Sequence, residues 1–196
     1  MKPPQIPHDL PSRQGLLEEL PYRHGPRPIT KGIAPHRQVT QRSAGETCQQ
    51  LLRTLKQLSE SYPKRVGYGT SSFEKHCDGI FSPPEYRAHD TKEGEICHVH
   101  DIDGSMHMAM HPADVKIVIE RGWGERHQMA FDNWGWKSMF VPPEFTMVYA
   151  PRDEDELAVI LRIIDAAAWW VSGEAMPEYS VSRPLVGMEQ PRDLTV

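Results

Sequence analysis

The sequence predicts an α+β domain, a small antiparallel sheet with a central hairpin, backed by helices. Three observations carry this expectation. Residues Glu95 to Met110 read as two strands around Asp101-Ile102-Asp103-Gly104, and Asp-Gly is among the strongest short-range hairpin signals. Apolar residues at helical spacing recur on either side of that hairpin. The strand-like runs are joined by short turns rather than by regular βα alternation, which favours antiparallel pairing.

Taken in order, residues 1–42 form a proline-rich N-terminal arm with little apolar periodicity, expected to lie on the domain surface. A short amphipathic piece, Leu16, Leu17 and Leu20, interrupts it before Pro21. Ser43-x-x-Glu46 has the form of a capping box, and Leu51, Leu52, Leu55 and Leu58 mark one face of the helix it opens, which Pro63 stops. Residues 65–72 and 74–81 read as two short strands, closed by Pro83-Pro84. After the hairpin, Pro112 suits the first turn of a helix through Val115 to Ile119, with Gly122 at its C′ position. A loop rich in tryptophan and glycine spans 122–138, and a strand bent at Pro142-Pro143 spans 139–149. Asp153-x-x-Glu156 caps a last helix with Leu157, Ile160, Leu161, Ile164 and Ala168 on one face, stopped by Gly173. A core α+β domain is thus expected over 43–173, followed by a polar tail, 174–196.

Composition narrows the function. Lys and Arg number 22 against 27 Asp and Glu, a net charge of −5, so nucleic acid is not an expected partner. The three cysteines, Cys48, Cys77 and Cys97, are far apart and form neither a CxxC pair nor a disulfide framework, which fits a reducing compartment. No run approaches the roughly 20 apolar residues of a membrane span, and the N-terminus has no signal-peptide core. A cytoplasmic location and a small-molecule substrate are expected. No glycine-rich phosphate loop is present, so no dinucleotide cofactor is expected.

Histidine is the informative residue. Six of the 10 histidines fall between residues 89 and 127: His89, His98, His100, His107, His111 and His127. Side chains alternate across a strand, so a two-residue loop at either Asp103-Gly104 or Ile102-Asp103 puts His98, His100, His107 and His111 on one face. Cys97, Val99, Met106, Met108 and Met110 then share the other. The first register pairs His100 with His107; the second pairs His98 with His107. An imidazole face suits proton chemistry, with one histidine as base, or a metal held by His98, His100 and His107. It also has a bland reading, as histidines on the solvent side of a sheet. Arg126 and His127, after the flexible Gly122-Trp123-Gly124, are expected to close the same pocket, with Arg126 steadying an anion. Trp123, Trp134 and Trp136 offer walls for a flat substrate, or core packing; His89 and Asp101, the latter at the hairpin turn, are further substrate-binding candidates, and Asp90 and Glu95 lie on the approach.

Several separated motifs then resemble the fungal luciferase family. They are Glu95-Ile-Cys-His98-Val-His100-Asp101, Met106-His107-Met108-Ala109 and Gly122-Trp123-Gly124-Glu125-Arg126-His127 in the centre of the chain. Leu20-Pro21-Tyr22-Arg23-x-Gly25-x-Arg27-Pro28, Thr70-Ser71-Ser72-Phe73-Glu74-x-His76 with Ile80-Phe81, and Tyr149-Ala150-Pro151-Arg152-x-Glu154 flank them. The resemblance runs from about residue 16 to 173. It implies a small α+β domain and, in the luminous members, oxidation of 3-hydroxyhispidin by molecular oxygen without flavin, nucleotide or ATP. Those members carry an N-terminal membrane anchor, which this sequence does not show, and a proline where it has Gln128. Loop 131–138 is aromatic here where theirs is richer in glycine and proline. The expectation is therefore a non-membrane relative: a cofactor-independent oxygenase that deprotonates an enolisable pyrone or polyphenol-type metabolite through histidine and adds O2. The alternatives are an acid–base enzyme, whether isomerase, cyclase, decarboxylase or hydrolase, and a non-catalytic binder of a metal or small ligand.

Overall fold

A computed structural model describes residues 14–89, 91–130, 141–174 and 176 of the 196-residue chain. Its element order is β1 (Thr30–Lys31), β2 (Arg37–Gln38), α1 (Gly45–Ser61), β3 (Gly67–Thr70), β4 (Asp78–Phe81), β5 (Glu95–Val99), β6 (Met106–Ala109), α2 (Pro112–Glu120), β7 (Gly124–Arg126), β8 (Phe145–Val148) and α3 (Glu154–Ser172). Strands β3-β4-β5-β6-β8-β7 form one antiparallel sheet, and β1 and β2 form a separate two-stranded ribbon in the arm. The class is α+β, as the turn and strand pattern implies.

The central hairpin takes the second of the two registers, with Cys97 opposite Met108, His98 opposite His107 and Val99 opposite Met106. Residues 101–104 make the connection, closed by His100 N donating to Ser105 O at 2.8 Å and Gly104 N to His100 O at 2.7 Å. Gly104 has φ +77°, and a Cβ there would lie 2.5 Å from Ser43 Oγ, so both backbone and space require glycine. This register sorts the two sheet faces. Cys97, Val99, Met106, Met108 and Met110 join the main core with Leu51, Leu55 and Leu58 of α1 and Ile160, Ile163 and Ile164 of α3. The histidines face the other way.

Helix ends show which sequence signals act. Asp153 caps α3 by accepting from Glu156 N at 2.9 Å, and Gly173 ends it in the left-handed region at φ 76°. Ser43 does not cap α1: the helix begins at Gly45, and Ser43 Oγ donates to Pro151 O at 2.5 Å. Strand β8 begins only at Phe145, after the prolines. The segment read as a continuous loop contains β7, an edge strand too short to show a period.

The arm is more than a surface strap. Leu17 and Leu20 belong to the main core, and their docking is fixed by Asp114, which accepts from Leu16 N at 3.0 Å and Leu17 N at 2.8 Å. Trp123 is fully buried in the same core and donates its indole N–H to Pro21 O at 2.6 Å. Arg23 reaches Ala150 O at 3.3 Å, and Arg152 donates to His24 O at 2.9 Å. Thus the arm motif around residues 20–28 is clamped to the 149–152 motif, and β1 and β2 come to lie against the histidine face.

Candidate functional site

Strand periodicity delivers the first three imidazoles. His98 and His107 are paired across β5 and β6, and His100 follows two residues after His98 on the same face. Their rings are mutually within 4.7 to 5.4 Å, centroid to centroid. His107 Nδ1 lies 3.2 Å from His98 Nε2 and 3.2 Å from His100 Nε2. All three side chains are buried, at 0–1% exposure.

Two further imidazoles extend the cluster. His127 follows β7, its Nδ1 accepts from Met129 N at 3.1 Å, and its ring meets His107 edge-on at 4.9 Å. His36 comes from the arm, stacks on His107 at 5.8 Å and meets His127 at 5.3 Å. His36 Nε2 stands 3.0 Å from Glu125 Oε1. Among the described residues, His36 Nδ1 and His107 Nε2 are buried with no hydrogen-bond partner.

A carboxylate, absent from the sequence expectation, stands at the centre. Glu74 Oε1 lies 3.8 Å from His98 Nε2, 3.7 Å from His100 Nε2 and 3.7 Å from His107 Nδ1. Glu74 is held there by a serine turn. Ser71 Oγ accepts from Phe73 N at 3.1 Å and Glu74 N at 3.0 Å, and it contacts Glu95 Oε1 at 2.9 Å. Ser72 N donates to Glu95 Oε2 at 2.6 Å. Glu95 in turn accepts from His98 Nδ1 at 2.5 Å, so one buried carboxylate orients both the Glu74 turn and an imidazole. On the other side, His100 Nδ1 is 2.8 Å from Ser105 Oγ, which donates to Asp103 Oδ1 at 2.5 Å.

Arginine enters from the arm. Arg37 forms a two-pronged ion pair with Glu74, one prong Nη1 to Oε1 at 3.0 Å, and its Nη1 lies 3.2 Å from His100 Nε2. Arg27 binds Glu125 Oε2 at 2.5 Å, where Tyr149 OH also donates at 2.7 Å and Thr30 Oγ1 serves the other oxygen at 2.9 Å. Glu74 and Arg37 keep 21% and 25% of their side chains exposed, so the cluster approaches solvent at this pair.

These neighbours separate the protonation states. Partial burial opposes charge on Glu74, but His100, His98 and Arg37 outweigh it and hold the carboxyl well below the usual range. Burial likewise opposes charge on Glu125, yet His36, Arg27, Tyr149 and Thr30 bring it down to about 2. His98 is raised because Glu74 and Glu95 overcome its burial. Burial, reinforced by the surrounding imidazoles, pushes His107 well down, and burial with His36 pushes His127 down to about 4.

The remaining expected site residues lie elsewhere. Arg126 pairs with Thr146 on β8, which pairs with Met108, so parity puts it on the methionine side while Glu125 takes the histidine side. Its guanidinium donates to Pro143 O at 2.5 Å and borders a groove with Arg27 and Tyr149. Arg37, not Arg126, is the cation beside the imidazoles. His111 leaves the sheet after β6 and becomes the N-cap of α2, accepting from Ala113 N at 3.1 Å. His89 stacks on Trp170 with ring centroids 3.4 Å apart. Asp101 is exposed in the hairpin turn, and Trp123 is a core residue rather than a substrate wall. Trp134 and Trp136 lie outside the described residues. Sequence reasoning missed Glu74, His36 and Arg37, although Glu74 sits inside one of the motifs that carry the resemblance.

A family model described as a luciferase domain matches residues 93–167, a range that contains His98, His100, His107 and His127 but not His36, Arg37 or Glu74. The chain is 33% identical over 179 residues to a luciferase of Armillaria ostoyae, covering 84% of this chain and 66% of that one. A luciferase of Armillaria mellea gives the same identity and coverage. A luciferase of Neonothopanus nambi is 31% identical over 179 residues, with the same coverage. The chain thus spans 66% of the length of these curated relatives. No solved structure matches.

Proposed function

The chain belongs to the luciferase domain family, and from that premise we propose that it is an oxygenase-type enzyme that brings molecular oxygen to an enolisable pyrone or polyphenol-like metabolite. The observation that supports this reading best is the Arg37–Glu74 pair at the partly exposed edge of a buried imidazole cluster. Oxygenation of such a substrate needs a group that takes a hydroxyl proton, a cation that steadies the enolate, and exclusion of water. The candidate proton acceptor is His36 Nδ1, buried with no hydrogen-bond partner among the described residues. Burial keeps His107 and His127 neutral beside it, so neither ring opposes its protonation. Arg37 stands where an enolate oxygen would meet a fixed positive charge, and Phe73 and Phe145 pack against His98 to keep that side apolar.

In the proposed step an imidazole removes the substrate's hydroxyl proton, and the enolate carbon forms a C–O bond to O2. The electron pair moves to the distal oxygen, and the imidazolium returns its proton to the peroxide. The reduced atoms are those of O2 and the oxidised one is the substrate carbon, so no other electron acceptor is required.

Incubation of the purified chain with 3-hydroxyhispidin and with simpler hydroxypyrones, followed by oxygen electrode, carbon dioxide release and light emission, tests the proposal. Oxygen uptake that depends on Arg37 supports it, with or without light. Turnover that proceeds equally in the absence of oxygen replaces it with an acid–base enzyme. No consumption of oxygen or of any tested enolisable compound overturns it.

A further inference from the structure

We infer that His98 Nε2, His100 Nε2, His107 Nδ1 and Glu74 Oε1 form the binding site for one divalent first-row transition-metal ion. The inference goes beyond the oxygenase reading and does not depend on it.

Geometry is the first support. The four donor atoms all lie within 4.8 Å of one another. Five separations among them are 3.2, 3.2, 3.7, 3.7 and 3.8 Å. Four ligands placed tetrahedrally at about 2.1 Å from an ion stand about 3.4 Å apart, in the middle of that range. The donors come from paired strands and a serine-braced turn, so little reorganisation is needed to grip an ion.

Proton placement is the second. Glu95 accepts from His98 Nδ1, and Ser105, whose own proton goes to Asp103, accepts from His100 Nδ1. Both rings are thereby fixed as Nδ1–H tautomers when neutral, with their Nε2 lone pairs turned to the centre. His107 Nδ1 faces both of those nitrogens at 3.2 Å, and Arg37 Nη1 lies 3.2 Å from His100 Nε2, a contact that an ion at the centre would replace. A cation engages all three at once, leaving the His107 proton on Nε2, which has no hydrogen-bond partner among the described residues.

Charge is the third. With neutral imidazoles, Glu74, Glu95, Asp103 and Glu125 outnumber Arg27 and Arg37 around the cluster by two, the charge of one dication. Arg37 contacts both Glu74 oxygens, so it keeps Oε2 when Oε1 turns to an ion. Three imidazoles and one carboxylate, with no thiolate, suit iron(II), manganese(II), cobalt(II) or zinc(II) and disfavour copper(I) and calcium.

The test uses the tag-free 196-residue chain, stripped with a chelator and titrated with cobalt(II) in the absence of substrate. The expected result is one equivalent per chain with visible d–d bands, weakened by about tenfold or more in Glu74→Gln and His100→Asn, each checked for folding by circular dichroism. Binding in Glu46→Gln, on the exposed side of α1, stays at the wild-type level. If a ligand variant does not fold, ¹⁵N-imidazole spectra of the zinc(II)-titrated wild type decide. Two rings are then expected to shift as Nε2 ligands and one as an Nδ1 ligand. Substoichiometric uptake, equal affinity in folded ligand variants, or imidazole spectra unmoved by zinc overturns the site. Because metal uptake is read without substrate, either result leaves the oxygen-uptake test of the oxygenase reading separate.

Discussion

Arg37 Nη1 lies 3.2 Å from His100 Nε2, joining the arm ribbon to the end of the central strand across 63 residues of sequence. The same guanidinium grips Glu74, so one arm side chain touches both a carboxylate and an imidazole of the buried cluster. Burial opposes its charge, but Glu74 more than compensates and raises its pKa, so it stays cationic throughout the working range.

Arg37→Ala is therefore expected to reduce oxygen uptake with a hydroxypyrone by about 10²- to 10³-fold, the loss typical of one preorganised electrostatic donor. Arg126→Ala, on the opposite sheet face, is expected to stay within a few-fold of wild type. Steady-state oxygen-electrode rates compare the two, and the reverse ranking would move the reactive centre to the groove beside β7.

The histidines make stability depend on pH in a defined window. His127 has a folded pKa of about 4 against an unfolded value of about 6.5, so between these the unfolded chain binds more protons. Stability from this group is complete above about pH 6.5 and is lost as pH falls toward about 4, by about 3 kcal/mol. His107 acts in the same direction and His98, raised by Glu74 and Glu95, in the opposite one, stabilising at acid pH and losing that as pH rises. The difference between wild type and His127→Asn isolates one group. Thermal melts from pH 7 to 4 are expected to show a shallower fall in Tm for the variant, and parallel curves would contradict the assignment.

Glu95→Gln is expected to lower stability by about 1–3 kcal/mol. The carboxylate accepts from His98 Nδ1, Ser71 Oγ and Ser72 N, three donors that an amide cannot serve equally. Urea denaturation reads the loss as a lower midpoint at unchanged slope. A variant as stable as wild type would show that the Glu74 turn stands without its brace.

Asp114→Ala should release the arm locally. The carboxylate, whose pKa burial raises, caps the two backbone N–H groups of Leu16 and Leu17. The expected cost is about 1–3 kcal/mol, concentrated at the arm. Hydrogen exchange by mass spectrometry should show faster exchange over residues 14–20, with β5 and β6 protected as before. Equal protection in the arm would refute the anchoring role.

What the sequence revealed of this site divides by physical origin. His98, His100 and His107 were legible because a strand's period of two fixes which side chains meet, and either even register gives the same sorting. Arg126 was misplaced because β7 has only three residues and no visible alternation, while its pairing with β8 decides its face. His111 was misplaced because the strand stops at Ala109 and a helix cap takes over. Glu74, His36 and Arg37 come from turns and a proline-rich arm, where position is fixed by a local serine turn and by side-chain contacts between distant segments, neither of which leaves a periodic trace. The fold class needed only the hairpin and the helix patterns; Ser43 shows that even a good capping signal yields to a tertiary acceptor, here Pro151 O.

The clamp between arm and sheet also bears on how the site comes into being. Contacts within the hairpin, such as His100 to His107, close a loop of 7 residues, whereas Arg27 to Glu125 closes one of 98. Loop-closure entropy grows with that separation, and contacts of high sequence separation form late and slowly. On these separations the imidazole face is expected to assemble before its cover. The histidines would then stand in register yet open to water for part of the folding route, when a small solute reaches the cluster more freely than in the finished protein.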